Sequence, residues 1–248
     1  MRNIMIKIEY DGTNYNGWQI QPNGRTIQQE IMVALKNLTG ENANINGSGR
    51  TDAKVHARGQ VANFYTASSI PIERFPIAMN HFLPEDITIL EAREVSNEFH
   101  ARYWAKGKRY SYHLYNHPQR SALLRNYSYH IPYSLDLDKM KEAANIFIGA
   151  HDFKGFMSSG SNVKDTIRTI HAIKVNKENN SIWITFEGNG FLYNMVRIMV
   201  GTLVEVANHK RNLNTVKVAL EEGDRRQAGH TAPPQGLFLD NVFYPLTH

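Results

Sequence analysis

The chain has no cysteine anywhere in its 248 residues. That excludes disulfides, thiolate metal sites, thiol nucleophiles and iron–sulfur clusters, so packing alone must hold the fold. Long apolar runs are missing too. The longest mostly apolar stretch, Phe191 to Ala207, contains Asn194, Arg197 and Glu205. It is too short and too polar for a transmembrane helix, and no membrane association is expected. No secretory leader is expected either, because Met1-Arg2-Asn3-Ile4-Met5-Ile6-Lys7-Ile8-Glu9-Tyr10 alternates like a strand. His113 and His117 have the look of a ligand pair, but on an extended strand they stand roughly 13 Å apart, too far for one metal. No metal and no cofactor are expected. No Ser-His-Asp order is present, and no glycine loop cradles a phosphate before a helix. The segments Gly155-Phe156 and Ser158-Ser159-Gly160-Ser161 read as a mobile surface loop.

What is present suffices for a sizeable core: hydrophobic residues make up 42% of the chain. The length allows one large domain or two small ones. The net charge is +5 and is concentrated. Residues 93–125 carry seven basic groups (Arg93, Arg102, Lys106, Lys108, Arg109, Arg120 and Arg125) against Glu94 and Glu98. The same window holds Phe99, Tyr103, Trp104, Tyr110, Tyr112 and Tyr115. Cations for phosphates and flat rings for unstacked bases are what RNA binding uses. The plainer alternative is a solvated surface over core aromatics.

The residues read as a mixed α/β chain with antiparallel pairs. Ile4, Ile6, Ile8 and Tyr10 face one way on a first strand, followed by a Gly- and Asn-rich loop over 11–18. Thr26-Ile27-Gln28-Gln29 opens a helix with a capping box. Ile27, Ile31, Ala34, Leu35 and Leu38 recur at helical spacing until Gly40. Strands are expected over 44–48, 59–65 and 86–95, and a helix over 72–82. The second half repeats this order. Tyr110, Tyr112 and Leu114 alternate on a strand. A helix spans 136–149 with Leu137, Met140, Ala144, Phe147 and Ile148 inward. Strands 166–176 and 181–187 form a hairpin with Ile182, Ile184 and Phe186 toward the core. Helices follow over 191–207 and 213–222, then a strand over 240–243. Two halves, 1–103 and 104–248, are expected to share one interface.

Three residues stand out. In Gly47-Ser48-Gly49-Arg50-Thr51-Asp52-Ala53-Lys54-Val55-His56-Ala57, two glycines free the backbone before an arginine and a carboxylate. On extended chain Arg50 and Asp52 share a face, about 6.6 Å apart. Asp52 either presents a carboxylate to a substrate or caps a turn. Arg197 lies in a helix apolar nearly all round, where a guanidinium needs a partner: a structural ion pair, or a carboxylate across a cleft, with Asp52 a candidate. Tyr110 is a core residue unless its strand faces Asp52. His56 either orients Asp52 or satisfies a local hydrogen bond.

These motifs resemble the tRNA pseudouridine synthase I (TruA) family, whose signature is Gly-Arg-Thr-Asp-Ala-Gly-Val-His-Ala. The resemblance runs nearly end to end. It takes in Tyr10-Asp11-Gly12-Thr13, Tyr15, Gly17, Trp18, Phe99-His100-Ala101-Arg102, Lys108-Arg109-Tyr110-Ser111-Tyr112, Gly149-Ala150-His151-Asp152-Phe153, Thr166-Ile167-Arg168, Phe191-Leu192-Tyr193-Asn194-Met195-Val196-Arg197 and Pro234-Gln235-Gly236-Leu237. It implies two α/β halves sharing a mostly antiparallel sheet flanked by helices, with an active-site cleft between them. It implies a cytoplasmic homodimer, without cofactor, that isomerises uridine in the anticodon arm of tRNA at positions 38 to 40. Asp52 matches the catalytic aspartate, Arg50 the arginine that holds or flips the nucleotide, and Tyr110 the stacking tyrosine. Arg197 matches the arginine paired with the aspartate, and Leu237 the apolar wall of the base pocket. Lys54, Arg58, Arg102, Lys108, Arg109 and Arg168 are weaker candidates for gripping the RNA backbone. One departure is Lys54, which replaces the family's glycine. If that position needs φ > 0, lysine costs about 1 kcal/mol or more; if not, Lys54 adds a cation beside Asp52. The alternatives are a catalytically altered paralogue that only binds tRNA and, since a hydrolase would want a second carboxylate, a less favoured glycosidic hydrolase.

Overall fold

Alternation in the first ten residues gives β1 (Arg2–Tyr10), with Ile4, Ile6 and Ile8 fully buried. Each such side chain contributes about 1.5–3 kcal/mol of burial. The computed structural model describes residues 1–158, 160 and 163–245. In chain order there follow α1 (Ile27–Thr39), β2 (Asn46–Gly47), β3 (His56–Thr66), α2 (Phe75–Asn80) and β4 (Ile87–Val95). Next come β5 (Gly107–Asn116), β6 (Tyr129–Ile131), α3 (Leu137–Ile146), β7 (Gly149–Asp152), β8 (Ile167–Glu178) and β9 (Ser181–Gly188). The chain ends with α4 (Met195–Ala207), α5 (Leu213–Glu221) and β10 (Leu237–Phe243).

The described residues divide into two compact units. One comprises Met1–Lys106 with the segment from Phe238 onward, and the other Gly107–Leu237. In the first unit the strand order is β4-β1-β3-β10 with β2 also on β3, and only the β3–β10 pair is parallel. In the second the order is β5-β9-β8-β7 with β6 parallel to β5. The chain is thus mixed α/β with mostly antiparallel sheets. Ile182, Ile184 and Phe186 on β9 are all fully buried, as their period of two requires. Every residue of α4 except Arg197 and Glu205 is buried.

Several local expectations need correction. The helix expected from residue 191 begins at Met195, because Asn194 takes φ 60° and Phe191–Tyr193 cannot be continuous with it. The helix expected over 136–149 stops at Ile146: Gly149, at φ 114°, opens β7, and Ile148 is 40% exposed rather than inward. The helix expected over 72–82 is a 3₁₀ turn (Ile72–Arg74) running into the short α2. Gly155 and Phe156 are not a surface loop. They are buried in a 3₁₀ turn (Phe153–Phe156), and a Cβ on Gly155 would meet Ala219 O at 2.4 Å. Of the neighbouring expected loop, Ser159 and Ser161 lie outside the described residues.

The capping box also fails. Thr26 is the N-cap of α1, but its side chain makes no cap hydrogen bond, and its buried Oγ1 has no partner. An unpaired buried hydroxyl carries a desolvation cost of about 1–3 kcal/mol. Thr26→Val keeps the shape and removes that cost. It is expected to leave urea stability unchanged or higher, whereas loss of a working cap would lower it by about 1 kcal/mol.

Candidate active site

The loop from Ser48 to Val55 in the first unit is tied down on nearly every residue. The Ser48 amide donates to Val61 O at 2.7 Å, and the Ser48 hydroxyl bonds Gln60 Oε1 at 2.6 Å. Gln60, fully buried, returns its Nε2 to Gly49 O at 3.1 Å. Thr51 O accepts from the Trp18 amide at 3.1 Å, and Thr51 Oγ1 pairs with the Tyr10 hydroxyl at 2.7 Å. Burial pushes the Tyr10 hydroxyl far above its ordinary pKa, so it stays a neutral hydrogen-bonding group. A short turn closes with Val55 N donating to Asp52 O at 3.2 Å, and Lys54 N donates to Tyr15 O at 3.1 Å. Asp52 is half-buried in the middle of this cage. A carboxylate on so fixed a backbone is preorganised rather than carried by a mobile loop.

Two glycines permit the cage. A Cβ on Gly12 would lie 2.0 Å from Val55 O, and one on Gly17 would lie 2.4 Å from Thr51 O. Gly17 also needs φ 90°. The segment 12–18 therefore lies directly on the Asp52 loop. Its composition shows only a Gly- and Asn-rich loop, although Gly12, Tyr15, Gly17 and Trp18 belong to the motifs that carry the family resemblance. Gln60, the buried amide that joins Ser48 to Gly49, carried no local signal.

His56 begins β3 and accepts the Gly12 amide on Nδ1 at 3.1 Å, with its ring stacked on Phe238. The Asp11 carboxylate also stands 3.1 Å from Nδ1. Arg50 and Lys54 are exposed. Lys54 sits at φ 64°, so the position does require left-handed backbone. Arg58 pairs with Asp240 at 2.9 Å and lies over the Phe238 ring.

The second unit places Tyr110 on β5, 7% exposed, with Phe191 edge-on at 5.1 Å. Two residues on, Tyr112 bonds Pro233 O at 2.6 Å, and a Cβ on Gly236 would meet the Tyr112 ring at 2.7 Å. That contact brings the turn Pro234–Gly236 onto β5 and leaves Leu237 5% exposed at its end. Burial raises the Tyr112 hydroxyl pKa against the opposing pull of Arg197. Arg197 is half-buried. It donates Nε to Ala232 O at 2.8 Å and Nη1 to Asn194 Oδ1 at 2.7 Å, while Ala232 N donates to Arg197 O. The guanidinium is therefore aimed by its own helix and by residue 232. Of the weaker candidates, Arg109 pairs with Glu187 and Arg168 donates to Asp165 O and Ile167 O. Lys108 is half-buried, whereas Arg102 is exposed. Among the described residues no group of three His, Asp or Glu side chains could hold a metal, and no helix is long and apolar enough to cross a membrane.

Comparison with known proteins agrees with the motifs. The family model described as tRNA pseudouridine synthase matches residues 6–104 and 143–245. A protein of Acetivibrio thermocellus named tRNA pseudouridine synthase A is 51% identical across 98% of this chain and 100% of its own length. One of Clostridium perfringens named tRNA pseudouridine synthase A 2 is 50% identical over the same shares. Among solved structures, a Cbf5-Nop10-Gar1 complex chain matches at TM-score 0.37 and 13% identity, over 82% of this chain and 54% of that one. This last likeness is too low to carry an argument.

The left-handed backbone at Lys54 sets a stability test. A non-glycine residue there costs about 1–2 kcal/mol, partly offset by the chain entropy glycine would add. Lys54→Gly is expected to stabilise the protein by roughly 0.5–1 kcal/mol in urea unfolding, with Lys54→Ala close to wild type. Destabilisation by glycine would mean that Lys54 makes contacts outweighing its strain.

Proposed function

The chain belongs to the tRNA pseudouridine synthase family, an isomerase family, and on that premise we propose that Asp52 isomerises uridine at positions 38 to 40 of the anticodon arm. The observation that supports Asp52 is its cage. It is a half-buried carboxylate whose flanking backbone is fixed by Tyr10, Trp18, Gln60 and the two close glycines. The reaction breaks the N1–C1′ bond, turns the base and joins C5 to C1′. C5 gives up a proton and N1 regains one, so no electron or group is supplied from outside. A single carboxylate suffices, by addition at C6, by attack at C1′, or by taking a sugar proton.

The base must leave its stack first, at a cost of a few kcal/mol. Stacking on an aromatic returns about 1–3 kcal/mol, the role assigned to Tyr110. Arg50, exposed beside Asp52, holds a phosphate or fills the vacated space. Leu237 supplies an apolar wall. Arg197 acts as counter-charge to Asp52, the role that the family resemblance gives it. Lys54, Arg58, Arg102, Lys108, Arg109 and Arg168 contribute to the grip on the RNA backbone. Arg58, Arg109 and Arg168 would share their present acceptors with phosphate. The working species is a cytoplasmic homodimer, a statement that rests on the family resemblance.

Tritium release from anticodon-arm transcripts labelled at uridine C5 tests the assignment. Asp52→Asn is expected to bind tRNA within about threefold of wild type and to release no tritium above background, since each of the three routes needs the carboxylate itself. Normal turnover by the variant would refute the role of Asp52. Binding without turnover by the wild type would favour the paralogue that only binds tRNA.

A further inference from the structure

We infer that the loop from Phe99 to Lys106 is a stacking platform for an unpaired base of the RNA substrate, an assignment that rests on the tRNA-modifying reading above. Tyr103 is 75% exposed, and its ring lies against the His100 imidazole at 4.2 Å with a tilt of 34°. Arg102 and Lys106 on the same loop are exposed.

The loop is held from beneath by polar groups that an apolar core has no other use for. Asn3 and Asn63 are 1% and 0% exposed, and Asn63 Nδ2 donates to Asn3 Oδ1 at 2.9 Å. Asn3 Nδ2 donates to Ser96 O at 2.8 Å and to Phe99 O at 3.0 Å. The Ala101 amide donates to Asn63 Oδ1 at 2.9 Å, and the Tyr244 hydroxyl donates to Ala101 O at 2.7 Å. Trp104 packs edge-on against Phe99, and Lys106 N donates to Phe243 O at 2.8 Å. Burying two amides is costly unless they are paired, and these are paired mainly to this loop. The backbone that carries Tyr103 is therefore ordered before any partner arrives, which removes ordering entropy from the cost of binding.

An exposed ring braced by a second ring and flanked by two cations suits a single-stranded nucleotide. The base stacks on Tyr103 while Arg102 and Lys106 meet phosphates. A base stacked inside a duplex offers no free face, so the platform addresses a loop or bulge. The flanking cations favour a polyanion over a second copy of this chain.

Steady-state kinetics on a full-length tRNA transcript decide the matter. Tyr103→Ala is expected to raise KM about fivefold to a hundredfold, with kcat within about twofold. Tyr103→Phe, which keeps the ring, is expected to match wild type. In binding titrations the log–log salt slope is expected to fall by about one in Arg102→Ala and to stay unchanged in Tyr103→Ala. An unchanged KM and affinity in Tyr103→Ala would overturn the platform. So would a loss of affinity accompanied by a lower sedimentation mass, which would place Tyr103 between copies of the chain. If the wild type showed no turnover, the assigned reaction would fall, and the titrations alone would still decide the platform.

Discussion

Two glycine backbones, at positions 12 and 17, lie against the loop that carries Asp52 and set the path of its backbone. The approach is closer than any Cβ allows. It turns a glycine-rich stretch, which would otherwise be soft, into a wall. The wall then lets Trp18 N and Tyr15 O complete the backbone hydrogen bonds of residues 51 and 54. Tyr10, Thr51, Gln60 and Ser48 extend the same fixation into β1 and β3 through side chains that are all buried. Such a cage costs desolvation of many polar atoms, and it is stable because they are paired.

The second unit applies the same device at a different spot. Gly236 lets a turn press onto the Tyr112 ring, and a Cβ on Gly201 in α4 would stand 1.9 Å from His230 O. Those approaches bring residues 229–237 along the helix that bears Arg197. There Ala232 bonds the arginine's guanidinium and its carbonyl from one side. In both units, then, a charged residue of interest is aimed by backbone contacts that only glycine permits. Lys54 departs from this economy. It keeps a side chain where the backbone is left-handed, a strain that persists only where the surroundings over-determine it.

Much of this was legible because the signals were local. The period of two in β1 and β9 and the stop at Gly40 each reside in a few adjacent residues, whereas the hairpin expected to turn over 177–180 keeps pairing as far as Glu178 and Ser181, so that only Asn179 and Asn180 turn. The Asp52 motif was legible for the same reason, and so was the conditional strain at Lys54. The misreadings share the opposite cause. Phe191 and Leu192 continue the apolar period of α4, but the chain turns left-handed at Asn194 to meet Ser158, a contact 36 residues distant. Thr26 has the right type for a cap, yet burial took its hydroxyl away from both water and the helix. Gln60, Asn3 and Asn63 look like ordinary polar residues of strands, and only the long-range pairing of β1 and β3 shows what they hold.

In the proposed reaction, backbone contact by the 12–18 segment positions Asp52 for chemistry rather than for RNA binding. Single-turnover kinetics of Gly17→Ala on an anticodon-arm transcript test this most directly. The added Cβ must displace Thr51 O or the Asp52 backbone, and a misplacement of about 1 Å costs on the order of a hundredfold in rate. The rate in the folded variant is therefore expected to be lower by about that factor, with affinity for the transcript within about threefold of wild type. A wild-type rate in that variant, with its fold intact, would contradict that positioning.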